Sequence, residues 1–177
     1  MKKIILTVFA ATSLLLYSTQ AFALLSVSVG MPMGHTITDK TIHLAGYDAP
    51  SGYLIGVQLP FAVGLGMDSY KTKLKESEAK LGTDTYNIFY QLPIPVINLI
   101  IGLGTGNQAL ECDGCADAFD KGSATQWYTS IGFPILPLFD IHLSYRSITS
   151  KNINIKESDT KLDFSGSVTG VGIAFNF

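Results

Sequence analysis

The chain ends in the alternating stretch TGVGIAFNF, residues 169–177, and this stretch decides the fold class. Threonine or a larger apolar residue stands at every second position, and glycine, alanine or asparagine stands between them. A period of two residues is typical of a β-strand whose two faces meet different surroundings. The second face is small and uncharged, so the pattern favours a crowded interior on that side rather than water.

Seven more stretches are predicted to be strands, and several of them show the same alternation. In the segment FDIHLSYR, residues 139–146, apolar or aromatic residues alternate with polar ones. The segment YLIGVQL, residues 53–59, also alternates, with Gly56 and Gln58 on its second face. We predict eight strands in total, at Leu24–Met31, Ser51–Leu59, Val63–Thr72, Asp84–Leu92, Val96–Ala109, Ala124–Phe133, Leu138–Thr149 and Asp163–Phe177.

The connections between these strands are of two alternating kinds. Residues 59–62, 92–95 and 133–137 are short, contain proline and carry no charge, whereas the other connections are long and polar. Short turns on one rim and long loops on the other are typical of outer-membrane β-barrels. An even strand number places both termini of the barrel at the short-turn rim, which would face the periplasm. The long loops, predicted at Gly34–Pro50, Lys73–Thr83, Leu110–Ser123 and Ser150–Leu162, would face outside the cell.

The first residues have the pattern of a signal peptide. Lys2 and Lys3 precede an apolar run at 4–17, and Ala21 and Ala23 have the spacing that a signal peptidase accepts. The run is too short for a membrane anchor, and no later segment reaches the roughly 20 apolar residues of a spanning helix. We therefore predict a cleaved signal peptide at residues 1–23 and one domain at residues 24–177.

The composition is unusual for a soluble domain. Hydrophobic residues make up 47% of the chain and charged residues 15%, whereas about a quarter of a typical soluble domain is charged. The net charge of −2 gives no electrostatic case for nucleic-acid binding. The first, second, fifth and sixth predicted strands contain no charge on either face. A soluble β-sandwich is the alternative, but these faces favour an all-β fold, an eight-stranded antiparallel up-and-down transmembrane β-barrel.

Aromatic residues fall near the predicted strand ends. Rings at both interfaces of a membrane form the girdles that anchor outer-membrane barrels. We predict a girdle of Tyr53, Trp127 and Tyr145 at the long-loop rim and one of Phe133, Phe175 and Phe177 at the short-turn rim.

The end of the chain resembles a known group of proteins. The segment DIHLSYR at 140–146, the segment DFSG at 163–166 and the glycine-alternating last strand are similar to the closing hairpin of small outer-membrane barrels. These are proteins of the OmpA-transmembrane-domain, OmpX and opacity-protein type. The resemblance implies their fold, and it implies that the outer-membrane assembly machinery recognises the last strand. It implies no shared activity, because these families share a fold without sharing a function.

Several charged and polar residues are predicted to point into the barrel. Arg146 is the one arginine of the chain, and it shares a face with Asp140 and His142. Asp68 of the third strand is also predicted to point inward. A buried guanidinium needs carboxylate partners, so we predict a polar network that plugs the interior. The alternative is a narrow charged pore, although eight strands leave little room for one.

His142 and Ser144 raise the question of catalysis. They stand two residues apart, as in the His-x-Ser pair of the outer-membrane lipid A deacylases, where an imidazole activates a hydroxyl. Tyr145, Arg146 and Ser147 follow the pair here, whereas the deacylases continue with Asn-Ala-Gly. In the deacylases the pair faces lipid, whereas the alternation here points His142 into the lumen of the barrel. We therefore expect a hydrogen-bonded interior histidine and no catalytic site.

Cys112 and Cys115 are the two cysteines of the chain and lie in the third long loop. An exported protein meets an oxidising compartment, so we predict a disulfide between them and no metal site. We expect a non-enzymatic outer-membrane protein with a structural or surface-interaction role and no cofactor. Its predicted partners are outer-membrane lipids and lipopolysaccharide, and an extracellular partner at the long loops. A lipid A-modifying hydrolase and a narrow pore for small solutes are the alternative functions.

Overall fold

Eight alternating stretches of the sequence form antiparallel strands in the computed structural model. The structure describes residues 25–38, 46–75, 79–92, 94, 97–136, 138–150, 153–154, 156 and 161–177, so the predicted signal peptide lies outside the described residues. The strands are β1 (Ser26–Ile37), β2 (Ser51–Gln58), β3 (Val63–Lys73), β4 (Lys80–Leu92), β5 (Asn98–Glu111), β6 (Gly122–Leu136), β7 (Phe139–Ser150), β8 (Ile153–Asn154), β9 (Lys161–Leu162) and β10 (Gly166–Asn176). All except β8 and β9 belong to one closed barrel, in the order β1-β10-β7-β6-β5-β4-β3-β2.

The barrel closes where the last strand meets the first. β1 pairs with β10 from Ser26–Asn176 to Ile37–Gly166, and it pairs with β2 on its other edge. The Phe177 amide then donates to the Leu25 carbonyl at 2.8 Å. Closure gives the strands partners on both sides and removes the free edges that an open sheet would expose. The predicted eight-stranded antiparallel barrel is confirmed.

The first strand is longer than predicted. We expected it to end at Met31 and a loop to begin at Gly34, but β1 continues to Ile37. Its register against β10 shifts between Pro32 and Gly34, which marks a β-bulge. The extra residue reverses the alternation, so that His35 and Ile37 are buried inside although Met31 is exposed outside.

The remaining differences concern strand ends and loops. β4 begins at Lys80 rather than Asp84, and β5 extends to Glu111, so one strand predicted to be uncharged carries a charge. The third long loop contains a short helix, α1 (Cys115–Ala118), and β8 pairs with β9 in the fourth. No helix in the described part of the chain is long and apolar enough to cross a membrane.

The outward face of the barrel is apolar over most of its height. Among the described strand residues, the outward positions between the two aromatic rows carry no charge. Exposed examples are Val29, Met31, Ile55, Leu65, Ile88, Ile101, Leu103, Ile131, Ile141, Leu143 and Ile173. Tyr53, Tyr86, Trp127 and Tyr145 stand exposed at the long-loop end of this band. Phe133 and Phe177 stand exposed at its other end, where Phe175 packs between Phe139 and Phe177.

Candidate functional site

The middle of the barrel contains an ion pair between opposite walls. Arg146 on β7 and Asp68 on β3 lie four strands apart in either direction around the ring. Arg146 donates from Nε to Asp68 Oδ2 at 2.8 Å and from Nη2 to Asp68 Oδ1 at 3.2 Å. Only 1% of Asp68 and 6% of Arg146 is exposed. This two-point contact fixes the plane of the guanidinium group and ties the two walls together.

Neutral side chains complete the surroundings of this ion pair. Asn87 Nδ2 donates to Asp68 Oδ2 at 2.9 Å, and Gln126 Nε2 donates to the same oxygen at 2.6 Å. Arg146 Nη1 donates to Ser144 Oγ at 2.6 Å. The guanidinium group also lies 4.8 Å from the ring centroid of Tyr128, within the range of a cation–π contact. We call Asp68, Asn87, Gln126, Ser144 and Arg146 the central cluster.

A second polar group lies near the short-turn rim and is built on Asp140. Asn176 Nδ2 donates to Asp140 Oδ2 at 2.9 Å, and Asn98 Nδ2 donates to the same oxygen. Gln91 Nε2 donates in turn to Asn98 Oδ1 at 2.8 Å. His142 Nε2 is 3.8 Å from Asp140 Oδ2, which is longer than a hydrogen bond. These five residues, the rim cluster, come from β4, β5, β7 and β10 and so link one side of the barrel.

The structure places His142 beside Ser130 and not beside Ser144, the serine of the His-x-Ser pair. His142 Nδ1 lies 3.3 Å from Ser130 Oγ, whereas Ser144 Oγ donates to the Gly170 carbonyl at 3.3 Å and accepts from Arg146. Residues two apart on a strand are separated by about 6.6 Å, so sharing a face does not bring them into contact. Ser130 stands directly opposite Ser144 across β6 and β7, diagonal to His142.

Acid, imidazole and hydroxyl therefore follow one another as Asp140, His142 and Ser130, all buried. The neighbouring cavity, which Ser130, His142, Ser144 and Arg146 help to line, has a volume of about 50 Å³. That volume holds a few water molecules at most. The arrangement can stabilise interior hydrogen bonds, but it offers no space beside Ser130 for an acyl chain.

Glycines make room for the interior rings. A Cβ added at Gly102 would lie 2.2 Å from the Tyr128 ring, and one added at Gly132 would lie 2.5 Å from His142 Cε1. Each ring lies over a glycine of the adjacent strand, where no side chain competes for the space. The uncharged inward face of the strands is therefore a packing surface for the interior rings of Tyr128 and His142.

Apolar layers close the interior on the long-loop side. Leu54, Tyr70, Ala124, Ile148 and Val168 pack together inside the barrel. Beyond them, Ile37, Leu81, Ile153 and Phe164 form a second group, with Tyr47, Leu74, Leu110, Phe119 and Leu162 packed against it. Side chains rather than an open channel therefore occupy the described interior.

The second apolar group joins the long loops into a cap over this rim. The Lys156 amide donates to the Ala118 carbonyl at 2.9 Å, which links the fourth loop to the third. A disulfide joins Cys112, the residue after β5, to Cys115, the first residue of α1. Below the cap, His35 Nδ1 lies 2.7 Å from Thr72 Oγ1.

Among the residues that the structure describes, no group of three or more His, Cys, Asp or Glu side chains is placed to hold a metal ion.

Comparison with known proteins identifies the fold. Neither a protein-family model nor a curated protein matches the chain. Neisserial surface protein A is similar in structure, with a TM-score of 0.59 and 12% identity over 88% of this chain and 98% of that chain. The Yersinia pestis outer membrane protein Ail is similar with a TM-score of 0.50 and 17% identity, over 86% of this chain and 98% of that chain. The chain therefore has the fold of the small, eight-stranded β-barrel proteins of bacterial outer membranes.

Proposed function

We propose that the chain is an integral outer-membrane protein whose sealed barrel supports a folded extracellular cap. The observation that carries this proposal is the uncharged apolar band on the outward face, which lies between two rows of aromatic side chains. A closed sheet with such a band is stable in a bilayer, whereas in water the band would drive aggregation. The short-turn rim and both termini face the periplasm, and the long loops face outside the cell.

The role of the protein is non-enzymatic and depends on the cap. The filled interior supports this choice over a pore, because a solute would have to displace the buried Asp68–Arg146 pair. It also supports this choice over a hydrolase of lipid A. Ser144 and His142 both point inward, and the cavity beside them is only about 50 Å³. The cap combines packed side chains from four loops, and its outer face is where a partner outside the cell would bind.

A charge placed in the apolar band tests the membrane location. Leu103 is 63% exposed on the outward face, so in a water-soluble protein Leu103→Lys would have almost no cost. In a bilayer the same change costs about 2–4 kcal/mol near the midplane. We therefore expect Leu103→Lys to reduce the folded, heat-modifiable fraction in the outer membrane. Thr149→Lys, at an exposed position beyond the aromatic row, is the matched control and should behave as the wild type.

Fractionation completes this test. The wild-type chain should sediment with the outer membrane and migrate differently on gels before and after boiling. Recovery from the soluble periplasm with one mobility, or equal tolerance of both lysine substitutions, would contradict the membrane location.

A further inference from the structure

A β-bulge places a histidine inside the barrel, beneath the cap. Met31 and Met33 are exposed on the outward face of β1, and an unbroken alternation would also point His35 outward. The register shift between Pro32 and Gly34 turns the histidine inward, where only 6% of it is exposed. Bulges commonly redirect a side chain in this way. The inward position of His35 is therefore a local feature of the backbone and not a result of regular alternation.

His35 lies beyond the membrane-spanning part of the barrel. Gly30 of β1 pairs with the residue that follows Tyr53 of the aromatic row, and His35 comes five residues later, toward the long loops. In the register with β10, His35 stands opposite Val168 of the first apolar layer. Ile37, two residues further along β1, belongs to the second apolar group. The histidine therefore lies between the two apolar layers that close this end of the barrel.

The surroundings of His35 provide a partner for one of its two ring nitrogens. Nδ1 lies 2.7 Å from Thr72 Oγ1 on β3. Nε2 is buried and has no hydrogen-bond partner among the described residues. The rings of Tyr47 and Tyr70 flank the imidazole, with centroid distances of 6.2 and 6.0 Å. A neutral imidazole has one N–H group, whereas an imidazolium ion has two, so protonation would bury a charged donor without an acceptor.

No charge in the described part of the chain is placed to compensate a proton on His35. The titratable groups that face it are the phenols of Tyr47 and Tyr70, which stay neutral in acid because phenols ionise near pH 10. β10 contributes the uncharged Val168, and Asp68, two residues before Tyr70, is already held by the cross-barrel ion pair. Burial lowers the pKa of His35 to about 4, whereas a histidine in water titrates near 6.5. The site therefore suits the neutral ring.

Tyr47 connects His35 to the loops of the cap. The Tyr47 hydroxyl accepts from the Ile37 amide at 3.3 Å, and Tyr47 pairs with Leu74 just beyond β3. Its ring also packs against the second apolar group. Because the first apolar layer closes the barrel below His35, water from the cell exterior has to pass Tyr47 and the second apolar group to hydrate a charged imidazole.

We infer that His35 makes the cap sensitive to acid: the cap stays closed over the neutral ring and opens when the ring is protonated, which exposes the apolar group beneath it. The open cap binds the proton more tightly than the closed cap, since only the open cap lets water hydrate the charge. The stability of the closed cap is therefore complete above about pH 6.5 and is lost as the pH falls toward 4. The inference rests on the proposed cap and adds a control of its exposed surface.

Hydrogen exchange measures the opening of the cap. The folded full-length chain in lipid nanodiscs is exchanged at pH 7.5 and pH 4.5, and each rate is divided by the intrinsic rate at that pH. The Lys75 amide, which donates to the Gly46 carbonyl, and the Lys156 amide, which donates to the Ala118 carbonyl, report on the cap. We expect their opening constant to rise roughly fiftyfold in acid, as a single proton linked to two different pKa values requires. The amides of β5 should keep their protection.

A substitution of the histidine tests whether this residue is responsible. In His35→Asn the side-chain amide can keep the contact with Thr72 but cannot take up a proton, so the cap amides should be equally protected at both pH values. His142→Asn removes the buried histidine near the opposite rim and is the matched control, which should open in acid as the wild type does. Heat-modifiable mobility is recorded for each protein, so that folded barrels are compared.

The wild-type chain supplies a second measurement that requires no variant. The ¹⁵N chemical shifts of the His35 ring, assigned through the backbone, should show a neutral ring at pH 5.5 while the cap amides remain protected. A charged ring under a protected cap at this pH would contradict the inference.

Two exchange results would also overturn it. One is opening in acid that persists in folded His35→Asn, which would assign the response to other groups, such as Asp163, whose Oδ1 accepts from the Ser165 amide. The other is a wild-type cap that is equally protected at both pH values. If the cap amides are already unprotected at pH 7.5, there is no folded cap and the proposed function itself fails, whereas protection at both pH values refutes only the role of His35.

Discussion

The central cluster and the rim cluster are both buried and polar, yet they are held in different ways. In the central cluster, Asp68 meets the guanidinium group of Arg146 from the opposite wall. In the rim cluster, Asp140 accepts hydrogen bonds from neutral amides on its own side of the barrel. His142 lies too far from Asp140 for a hydrogen bond, and its Nε2 atom has no hydrogen-bond partner among the described residues.

This difference separates two uses of interior polar groups. A bond that spans the barrel fixes the distance between opposite walls, and loss of either partner leaves a charge buried without compensation. Amides around a single carboxylate satisfy hydrogen bonds locally. A cavity of about 10 Å³ beside Asp140, His142 and Asn176 leaves space for about one water molecule there. The central cluster should therefore set the stability of the barrel, and the rim cluster should tolerate change.

Substitution of Asp68 should have the largest effect. Asp68→Asn leaves Arg146 buried without its counter-ion, and breaking a buried pair in this way costs about 3–5 kcal/mol. Urea unfolding of the barrel in detergent, followed by the fluorescence of Trp127, the one tryptophan, measures the free energy of unfolding.

A double variant provides the control. Asp68→Leu with Arg146→Met removes both charges and fills part of their volume, so it should be more stable than Asp68→Asn alone. The single variants Asp68→Leu and Arg146→Met are measured beside it. If the double variant loses as much free energy of unfolding as these two variants together, the two residues act independently, contrary to a cross-barrel bond.

Alanine substitutions at the glycines under Tyr128 and His142 should also differ in their cost, with the larger loss of stability at Gly102. Gly102→Ala brings a methyl group against Tyr128, whose ring is held by Arg146, and should cost about 1–3 kcal/mol. Gly132→Ala brings one against His142, which borders both cavities and can move aside. The same unfolding measurement should therefore give a smaller loss for Gly132→Ala. Equal losses would mean that both rings are held with equal rigidity.

Substitution of Asp140 should cost less than substitution of Asp68. Asp140→Asn keeps an acceptor oxygen for Asn98 and Asn176 and leaves no buried cation without a partner. The expected loss is about 1 kcal/mol, the size of one net hydrogen bond. A loss as large as that of Asp68→Asn in the urea experiment would abolish the distinction between the clusters.

Much of this architecture could be predicted from the sequence, because strand alternation is a local property. The inward direction of Asp68, Asp140, His142 and Arg146 follows from a period of two alone. The continuation of β1 to Ile37 could not be predicted in this way. A bulge inserts one residue, so the alternation breaks at the position where the strand continues.

The partners inside the barrel also could not be predicted, because they depend on register and closure. In the sequence, Asn87 and Gln126 are uncharged residues with no indicated partner, yet both donate to Asp68. Their contact depends on how far the strands are staggered around the ring, which no single strand encodes. The same holds for His142, whose contact with Ser130 comes from the β6–β7 register. A side-chain amide on the inward face of a strand is a feature of the sequence that could have indicated such an interior hydrogen bond.

The smallest effect is expected at Ser144, which belongs to the central cluster through one contact. Ser144→Ala removes the acceptor of Arg146 Nη1, but water in the adjoining cavity can replace it. The barrel should lose about 0.5 kcal/mol, near the lower limit for a hydrogen bond, in the urea experiment. The same variant also examines the hydrolase alternative, since lipid A from cells that express it should have the same acyl chains as lipid A from wild-type cells. If the wild-type chain removes an acyl chain and Ser144→Ala does not, Ser144 is a nucleophile, and its place in the central cluster is secondary to catalysis.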